Sequence, residues 1–481
     1  MEPFLKSNKL KILIISSRSE GGGAEQFFKI MTKLKGLFEF YCALPDSPPF
    51  YDRIVNEKIP TFKLPYRKFK ILAFLKLSKW VKANGITVVH SHGRGAGIYS
   101  RLLKLLNTKL KVVHTFHGIH FSSINLAVIV ESFLRILTDK FIFVSESERQ
   151  IALRLWITSV SKSALIENGI HTDNEVYNDI DRNSVLQFVN KKITNESFVI
   201  GMLSRFDRIK NIPYAIKNLS DYLKNHDDAF LVIGGDGEEQ WKIERTIREY
   251  NLQNKVILLG FINDIKRFFL LSDIYLNTSL GEAFGFSTVE AMKYGKPVVV
   301  SEVYGNSDVV DDNRTGLLFS LKKPALLVEG IKILKNDQQT YDYLSKNASE
   351  DVKKRFNLDR MLNETRELYT SLTQALSVSK VVRIGINASK AYDVHTGVGR
   401  YTFNLWKSIL KANGRYDCHF YGPGKSRKAI MTNRLGSRYD KPPATTQNNV
   451  LRILWEQIML PVYSRRDRLD LFHYTDHALS L

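Results

Sequence analysis

The chain has 481 residues, of which 44% are hydrophobic and 25% are charged, so it is long enough for about three globular domains with buried cores. Its two cysteines, Cys42 and Cys418, lie far apart, which excludes a disulfide framework or a cysteine zinc site and favours a reducing, cytoplasmic location. The net charge of +21 favours acidic partners such as nucleic acid, anionic lipid or phosphorylated substrates, although a lysine-rich background composition also explains it.

The sequence shows neither a signal peptide nor an apolar run long enough to span a membrane. The start of the chain passes from a short polar lead into a strand and lacks the apolar region of a signal peptide. The longest apolar run, at 124–137, is broken by Glu131 and Arg135 and is too short to span a bilayer. We therefore expect a cytoplasmic protein.

Strand-like and helical segments alternate through the first 375 residues. The first series of β-rich runs is KILIIS (11–16), FEFYCAL (38–44), ITVVHSH (86–92), KVVHTFH (111–117) and KFIFVS (140–145). After a polar linker at 171–184, the second series is SFVIGML (197–203), DAFLVIGG (228–235), KVILLGF (255–261), DIYLNTS (273–279) and PVVVSE (297–302). This alternation predicts two doubly wound α/β domains, with ligands bound in a cleft at the carboxyl ends of the strands.

The first candidate site is SEGGGAE (19–25), which follows the first predicted strand. Glycines at the start of a helix let backbone N–H groups approach a phosphate or a sugar, and this gives Gly22 and Gly23 a candidate role. No GK[ST] sequence follows, so the segment is not a P-loop. Taken alone, a structural tight turn explains it equally well.

The second candidate is SRFDRIKN (204–211), in which Arg205 and Lys210 are spaced to bind a diphosphate from one side of the cleft. Two solvated surface cations are the alternative. The third is EAFGFSTVEAMKYGKPVVV (282–300), where Glu282 and Glu290 are eight residues apart. A helix beginning near Phe286, after Gly285, would present free N–H groups to an anion.

Together these motifs resemble retaining glycosyltransferase family four. SRFDRIKN, GGDGEE (234–239), LGFIND (259–264) and the E-x7-E segment occur in the order and spacing of that family. SEGGGAE, VVHSHG (88–93), TFHG (115–118), VSESE (144–148) and ENGI (167–170) fit it as well, so the resemblance covers roughly residues 10–375. The chain departs from the pattern at Ser204, where glycine is usual, and at His171, where aspartate is common.

The resemblance implies a GT-B fold with two Rossmann-like domains and a nucleotide-sugar donor held mainly by the second. It implies catalytic roles at the cleft for Arg205, Lys210, Glu282 and His117. It implies donor contacts at Gly22, Gly23, Phe261, Ile262, Gly285, Phe286 and Glu290. Within that set the two cations stabilise the leaving diphosphate, Glu290 holds the ribose, and Glu282 and His117 reach the donor sugar. Without the family, a structural residue at a strand end is the favoured interpretation of His117, as it is of His90, His92 and His114.

The activity that follows is retaining transfer of a sugar to a glycan or a lipid-linked glycan, in bacterial surface polysaccharide synthesis such as O-antigen or capsule. Cationic stabilisation of the leaving group needs no metal, and we expect no cofactor. A GT-B nucleotide-sugar epimerase shares the fold but usually lacks this E-x7-E context. A basic nucleic-acid-binding protein would explain only the charge, because no binding motif accompanies it, and we expect no nucleic-acid partner.

Residues 62–82, FKLPYRKFKILAFLKLSKWVK, combine seven cations with leucine and phenylalanine and contain no acid. This pattern predicts an amphipathic segment that binds an anionic membrane surface, where a polyprenyl-diphosphate-linked acceptor would be found. An ordinary helix with a solvated basic face has the same composition.

The last hundred residues begin as the first domain does. VVRIGINAS (381–389) predicts a strand, TGVGRYTFNLWKSIL a turn and a helix, and LDLFHYTDH (469–477) resembles ITVVHSH. We therefore expect an N-terminal domain at 1–185, a nucleotide-sugar domain at 186–375, and a linker with the front part of a second family member at 376–481. RILWEQIMLP (452–461) also matches that family, and the copy lacks its own cation pair and E-x7-E segment. We interpret it as a truncated second module, or else as a half-domain kept for docking.

Overall fold

A computed structural model describes residues 9–20, 22–66, 68–118, 126–172, 182, 193–374, 382–387, 416–421, 438–440 and 471–473. The chain separates into two compact units, Met1–Ser371 and Leu372–Leu481. The first unit contains two parallel sheets and the second unit contains one.

The first sheet has seven parallel strands in the order β3-β2-β1-β4-β5-β6-β7. The strands are β1 (Lys11–Ser16), β2 (Glu39–Leu44), β3 (Thr61–Lys63), β4 (Val88–His92), β5 (Lys111–Thr115), β6 (Lys140–Phe143) and β7 (Ser163–Leu165). The helices are α1 (Gly22–Leu34), α2 (Phe50–Asn56), α3 (Ile71–Ala83), α4 (Arg94–Leu106), α5 (Leu126–Leu134) and α6 (Glu146–Arg154). The apolar runs of β1 and β4 are buried because helices cover both faces of such a sheet. The strand order reverses between β1 and β4, so a crevice opens at their carboxyl ends.

The second sheet has six parallel strands in the order β10-β9-β8-β11-β12-β13. The strands are β8 (Phe198–Leu203), β9 (Ala229–Gly234), β10 (Val256–Gly260), β11 (Ile274–Asn277), β12 (Val298–Ser301) and β13 (Leu317–Phe319). The helices are α7 (Ile212–Asn225), α8 (Gln240–Glu249), α9 (Ile265–Leu271), α10 (Phe286–Lys293), α11 (Asn306–Val309), α12 (Ala325–Asn336), α13 (Gln338–Arg355) and α14 (Leu358–Gln374). Its order reverses between β8 and β11, which places a second crevice beside Arg205 and the 277–287 segment.

The last helix of the first unit, α14, packs on the first domain although it follows the second in sequence. Tyr369 Oη lies 2.6 Å from Nδ1 of His90 on β4, and its ring packs edge-on against Phe38. Where the chain returns, Ile170 forms an isolated parallel bridge with Asn357. The two crossings between the domains therefore run side by side, and a Cβ on Gly169 would lie 2.6 Å from Leu358 Cα.

The second unit contains a parallel sheet in the order β16-β15-β14-β17. Its strands are β14 (Val382–Asn387), β15 (Tyr416–Tyr421), β16 (Arg438–Asp440) and β17 (Leu471–His473). This order is the same as that of β3-β2-β1-β4 in the first domain. The helix expected at 395–410 and the segment at 452–461 lie outside the described residues.

All ten strands predicted for the first 375 residues occur, each within two residues of its expected start. The predictions missed β3, β7 and β13, which are three residues long and lie at or near sheet edges. Most of the expected linker at 171–184 falls outside the described part of the chain.

Glu131, which interrupts the apolar run at 124–137, does not face solvent. It is 4% exposed and pairs with the fully buried Arg101, whose Nη2 lies 3.0 Å from its Oε2. Arg101 Nε also donates to Thr138 Oγ1 at 2.9 Å. Among the described helices, none has the length and hydropathy that crossing a membrane requires.

Candidate active site

A cavity of about 260 Å³ lies between the two domains of the first unit. The first domain contributes Gly23, His117 and Asn168, and the second contributes the ends of β8 and β11 with the segment that leads into α10. Most of the predicted site residues line this one cavity: Gly23, His117, Arg205, Lys210, Glu282, Gly285 and Phe286. Both crevices of the doubly wound sheets therefore face the same space.

Lys210 is placed by a short 3-10 turn, Arg208–Lys210, directly after β8. Asp207 caps this turn by accepting from the backbone N–H groups of Ile209 and Lys210, and Asn211 then adopts the left-handed conformation that ends it. Lys210 Nζ donates to Glu282 Oε1 at 2.6 Å. An ammonium group has three N–H donors, so this pairing leaves donors for a ligand in the cavity.

Glu282 is held by several donors at once. It is 8% exposed, and its Oε1 also accepts from Ser279 Oγ at 2.7 Å. Its backbone N–H donates to Tyr304 O at 3.1 Å. Gly305 has φ +81°, and a Cβ there would lie 2.1 Å from the carbonyl oxygen of Glu282. The loop carrying Tyr304 and Gly305 thus fixes the position of this carboxylate.

Arg205 lies at the exposed edge of the cavity. Its side chain is 63% exposed, and its Nε and Nη2 donate to Asp207 Oδ2 at 2.8 and 2.5 Å. The carboxylate of Asp207 therefore orients both predicted cations. It binds the side chain of Arg205 and the backbone N–H of Lys210. The guanidinium has further N–H groups that Asp207 does not use, which suit a phosphate oxygen.

Helix α10 begins at the cavity. Gly285 adopts φ +70°, a conformation that suits glycine, and the helix starts at Phe286. The first backbone N–H groups of a helix carry partial positive charge, so this terminus and Lys210 both present positive charge to the cavity. One turn further, Glu290 lines a neighbouring cavity of about 240 Å³. Burial raises the pKa of Glu290 above its usual value.

His117 contacts the cavity from the first domain. A Cβ on Gly23 would lie 3.4 Å from its ring, so the glycine turn and the histidine lie against each other. Its Nε2 is 2.9 Å from Nδ1 of His92, and the two rings stack. Burial lowers the pKa of His117 to about 4, so it is neutral at pH 7.

Three further histidines, His90, His92 and His114, form a buried row behind His117. His90 Nε2 lies 2.7 Å from Thr115 Oγ1, and His114 Nδ1 lies 2.9 Å from Ser91 Oγ. Burial lowers the pKa of His90 to about 3 and that of His92 well below its usual value. Within the described residues His92 Nε2 has no hydrogen-bond partner. A buried unpaired acceptor is tolerated better than a buried unpaired N–H, so His92 donates through Nδ1 and His117 keeps its Nδ1–H.

Gly22 is the first residue of α1. Two other predicted site residues lie away from both cavities. Phe261 is 67% exposed, and Ile262 packs into the core of the second domain. Their predicted roles stay predictions, as do the roles of the residues that line the cavity.

Sequence reasoning missed Asn277 and Ser279, whose side chains donate to Glu282, and it missed Tyr304 and Gly305. Asn277 is the last residue of β11 and Ser279 lies two residues after it, and polar residues at the end of a parallel strand are a usable signal. The second pair lies more than twenty residues downstream, and nothing local marks its contact with Glu282. Among the described residues no group of three histidine, cysteine, aspartate or glutamate side chains is arranged to hold a metal ion.

Comparison with known proteins identifies both domains. Residues 31–174 match the family model Glycosyltransferase Family 4, and residues 186–351 match Glycosyl transferases group 1. The two matches together span more than half of the chain. Both domains belong to glycosyltransferase families.

Relatives of this glycosyltransferase include enzymes of Escherichia coli. An Escherichia coli UDP-Gal:alpha-D-GlcNAc-diphosphoundecaprenol alpha-1,3-galactosyltransferase is 26% identical over 350 residues, 70% of this chain and 89% of the relative. The O-antigen biosynthesis glycosyltransferase WclY of Escherichia coli is 23% identical over 59% of this chain and 79% of its own length.

Solved structures share the fold of the glycosyltransferase. Anabaena Alr3699/HepE in complex with UDP and glucose has a TM-score of 0.67 and 21% identity, and the match covers 75% of this chain and all of HepE. A Rickettsia africae glycosyltransferase has the same TM-score and identity, and its match covers 77% of this chain. The first unit therefore has the GT-B fold.

Proposed function

We propose that this glycosyltransferase moves a sugar from a nucleotide-sugar donor to a glycan or lipid-linked glycan, with retention at the anomeric carbon and without a metal ion. The observation that carries the proposal is the convergence of Arg205, Lys210 and the start of α10 on one cavity. All three present positive charge or N–H donors to the same space. A leaving nucleoside diphosphate is the anion that such an arrangement stabilises.

The proposed mechanism is electrostatic. As the bond between the anomeric carbon and the diphosphate oxygen breaks, negative charge grows on the leaving group beside Lys210 Nζ. An acceptor hydroxyl oxygen bonds to the anomeric carbon from the same face, and its proton passes to the leaving diphosphate. Glu282, held by Lys210 and Ser279, accepts hydrogen bonds from donor sugar hydroxyls. The neutral His117 donates its Nδ1–H to a sugar oxygen from the other side. Each of these groups positions the donor, and its effect depends on distances set before the substrate arrives.

A lipid-linked acceptor is supported by the E. coli galactosyltransferase, whose name contains a diphosphoundecaprenol acceptor. The exposed face of α3 suits a membrane that carries such a lipid. Ile71, Leu72 and Leu75 are exposed at its start, and lysines are exposed along the rest of it. Trp80 instead packs inward between Tyr41 and Phe62. Apolar side chains beside cations fit an anionic lipid surface on the cytoplasmic side.

The membrane contact is tested by sedimentation with anionic liposomes at low salt. We expect the wild type to sediment and a Lys76/Lys79/Lys82→Glu variant to stay in the supernatant. If both proteins sediment equally, the lysines of α3 do not carry the membrane contact.

We also propose that the second unit is the front of another module of the same family. Its strand order, β16-β15-β14-β17, is the order in which the first domain starts. The expected glycine turn of this copy lies outside the described residues. If deleting 381–481 leaves transfer by the first unit unchanged, the two units act independently. Loss of transfer on deletion would favour a docking role.

The activity is tested with a panel of UDP-, GDP- and dTDP-sugars, with transfer to a lipid-linked acceptor as the readout. Transfer from one donor with an α-linked product, in the presence of a chelator, is the expected result. Interconversion of the donor without transfer would favour the epimerase alternative. Absence of nucleotide binding together with tight, salt-dependent RNA binding would favour the nucleic-acid alternative.

A further inference from the structure

The cavity that contains Glu290 is built by helices from both domains. Gln26 and Lys29 line it from α1, three residues apart and so on one face of that helix. Phe286 and Glu290 line it from α10. It shares Phe286 with the cavity that contains Lys210, so one ligand can extend from one cavity into the other.

Two buried acceptors in this cavity lack a protein partner. Gln26 is 3% exposed, and its Oε1 accepts no hydrogen bond from the described residues. Oε2 of Glu290 is buried and has no partner in the described part of the chain either. Buried polar atoms are normally satisfied, so two on opposite walls of one cavity indicate a ligand that donates hydrogen bonds.

Lys29 places a donor beside these acceptors. Its side chain is 14% exposed, and its Nζ is 3.8 Å from Oε1 of Glu25, which also lines this cavity. Burial lowers the pKa of Lys29, while the charges of Glu25 and Glu290 act in the opposite direction. The charge of Lys29 in turn opposes the rise in the pKa of Glu290, so the two groups interact electrostatically across the cavity.

The chemistry of these three side chains selects a hydroxyl-bearing ligand. A phosphate supplies acceptors only and would leave both oxygens unsatisfied. A pair of neighbouring hydroxyls donates to Gln26 and Glu290 and accepts from Lys29. The ribose of a nucleoside diphosphate carries such a pair a few bonds from its phosphates, and the two cavities adjoin at Phe286.

We propose that Gln26 and Lys29 bind the donor ribose from the first domain, opposite Glu290, so that both domains hold the nucleoside. This inference rests on the proposed nucleotide-sugar activity, and it adds two residues that determine selectivity for ribose. It also makes nucleoside binding dependent on approach of the two domains.

The test is calorimetric binding of UDP and 2′-deoxy-UDP to the full chain. Gln26→Met and Lys29→Met keep side-chain length, and Lys33→Met is the matched control because Lys33 is exposed on the same helix. We expect the wild type to prefer UDP about tenfold, which corresponds to one charge-assisted hydrogen bond. In Gln26→Met and Lys29→Met the preference should fall towards one, and Lys33→Met should keep it.

Wild-type selectivity in both α1 variants would overturn the inference. If Glu290→Gln loses UDP while the α1 variants bind it normally, the inference fails and the proposed function stands. If the wild type binds none of UDP, GDP, CDP, ADP and dTDP, the proposed function fails with it. Circular dichroism of each variant shows that a change in binding is not a change in folding.

Discussion

Replacing Lys210 with methionine removes one positive charge and keeps the shape of the side chain. Lys210 Nζ uses one N–H on Glu282 at 2.6 Å and has two left for a diphosphate. A hydrogen bond between charged groups contributes about 1.5–3 kcal/mol, so affinity for a nucleoside diphosphate should fall about 10- to 150-fold. Turnover should fall by roughly 10²-fold or more, because charge on the leaving group grows during the reaction.

Calorimetry with UDP and with uridine isolates this effect. Uridine has no phosphate, so Lys210→Met should bind it as the wild type does while binding UDP more weakly. Lys224→Met is the control, because Lys224 is exposed on α7. A variant that binds UDP within twofold of the wild type and turns over normally would refute the placement of the diphosphate beside Lys210.

The same substitution leaves Glu282 without its cation. An unsatisfied buried group costs about 1–3 kcal/mol, so Lys210→Met should also melt at a lower temperature. Adding Glu282→Gln removes the unpaired charge and should restore most of the melting temperature, since paired removal of a buried ion pair is often neutral. The double variant should stay inactive. Recovery of stability without recovery of turnover separates the structural role of the pair from its catalytic role.

Three further predictions concern the surroundings of the site. The pKa of His90 is about 3 in the folded chain, against 6.5 for an ordinary histidine. Its contribution to the free energy of unfolding is therefore present above pH 6.5 and is lost as the pH falls towards 3. A urea titration of His90→Gln should show a loss of unfolding free energy between pH 6.5 and 5 that is about 2 kcal/mol smaller than in the wild type. Glu131→Gln should lower the free energy of unfolding by about 3–5 kcal/mol, because Arg101 is then buried and unpaired. The double variant Arg101→Met/Glu131→Leu removes both charges and should lose far less unfolding free energy in the same urea titration. Gly305→Ala should lower both melting temperature and turnover, because its Cβ would collide with the backbone of Glu282, and a fully active, stable variant would contradict that geometry.

The fold was predictable because its signals are local. A strand such as KILIIS, buried on both faces, reads as a continuous apolar run, and the helix after it reads as a periodic one. Strands of three residues, such as β3, bury too little to leave a pattern. The return of α14 to the first domain depends on Tyr369 meeting His90, a contact across 279 positions that no local pattern marks.

Site residues that lie in a sequence motif could be predicted. Site residues that are brought to the cavity only by tertiary contacts could not. Arg205, Lys210 and Glu282 stand in recognisable segments, and the structure brings them to one cavity. Gln26 and Lys29 look like ordinary positions on an amphipathic helix, and only the approach of the second domain gives them a role. Phe261 follows the motif, yet its exposed side chain lies away from both cavities, because a loop's sequence does not fix its direction.

The paired crossings at Ile170 and Asn357 limit how the two domains can move. Two chain segments that share backbone hydrogen bonds resist twisting about each other, so opening of the cleft is confined to bending across them. Bending about these segments would move His117 and Lys29 together relative to Lys210 and Glu290. A side chain at Gly169 would collide with Leu358 and separate the two segments, so this glycine lets the two crossings lie close enough to share their backbone hydrogen bonds.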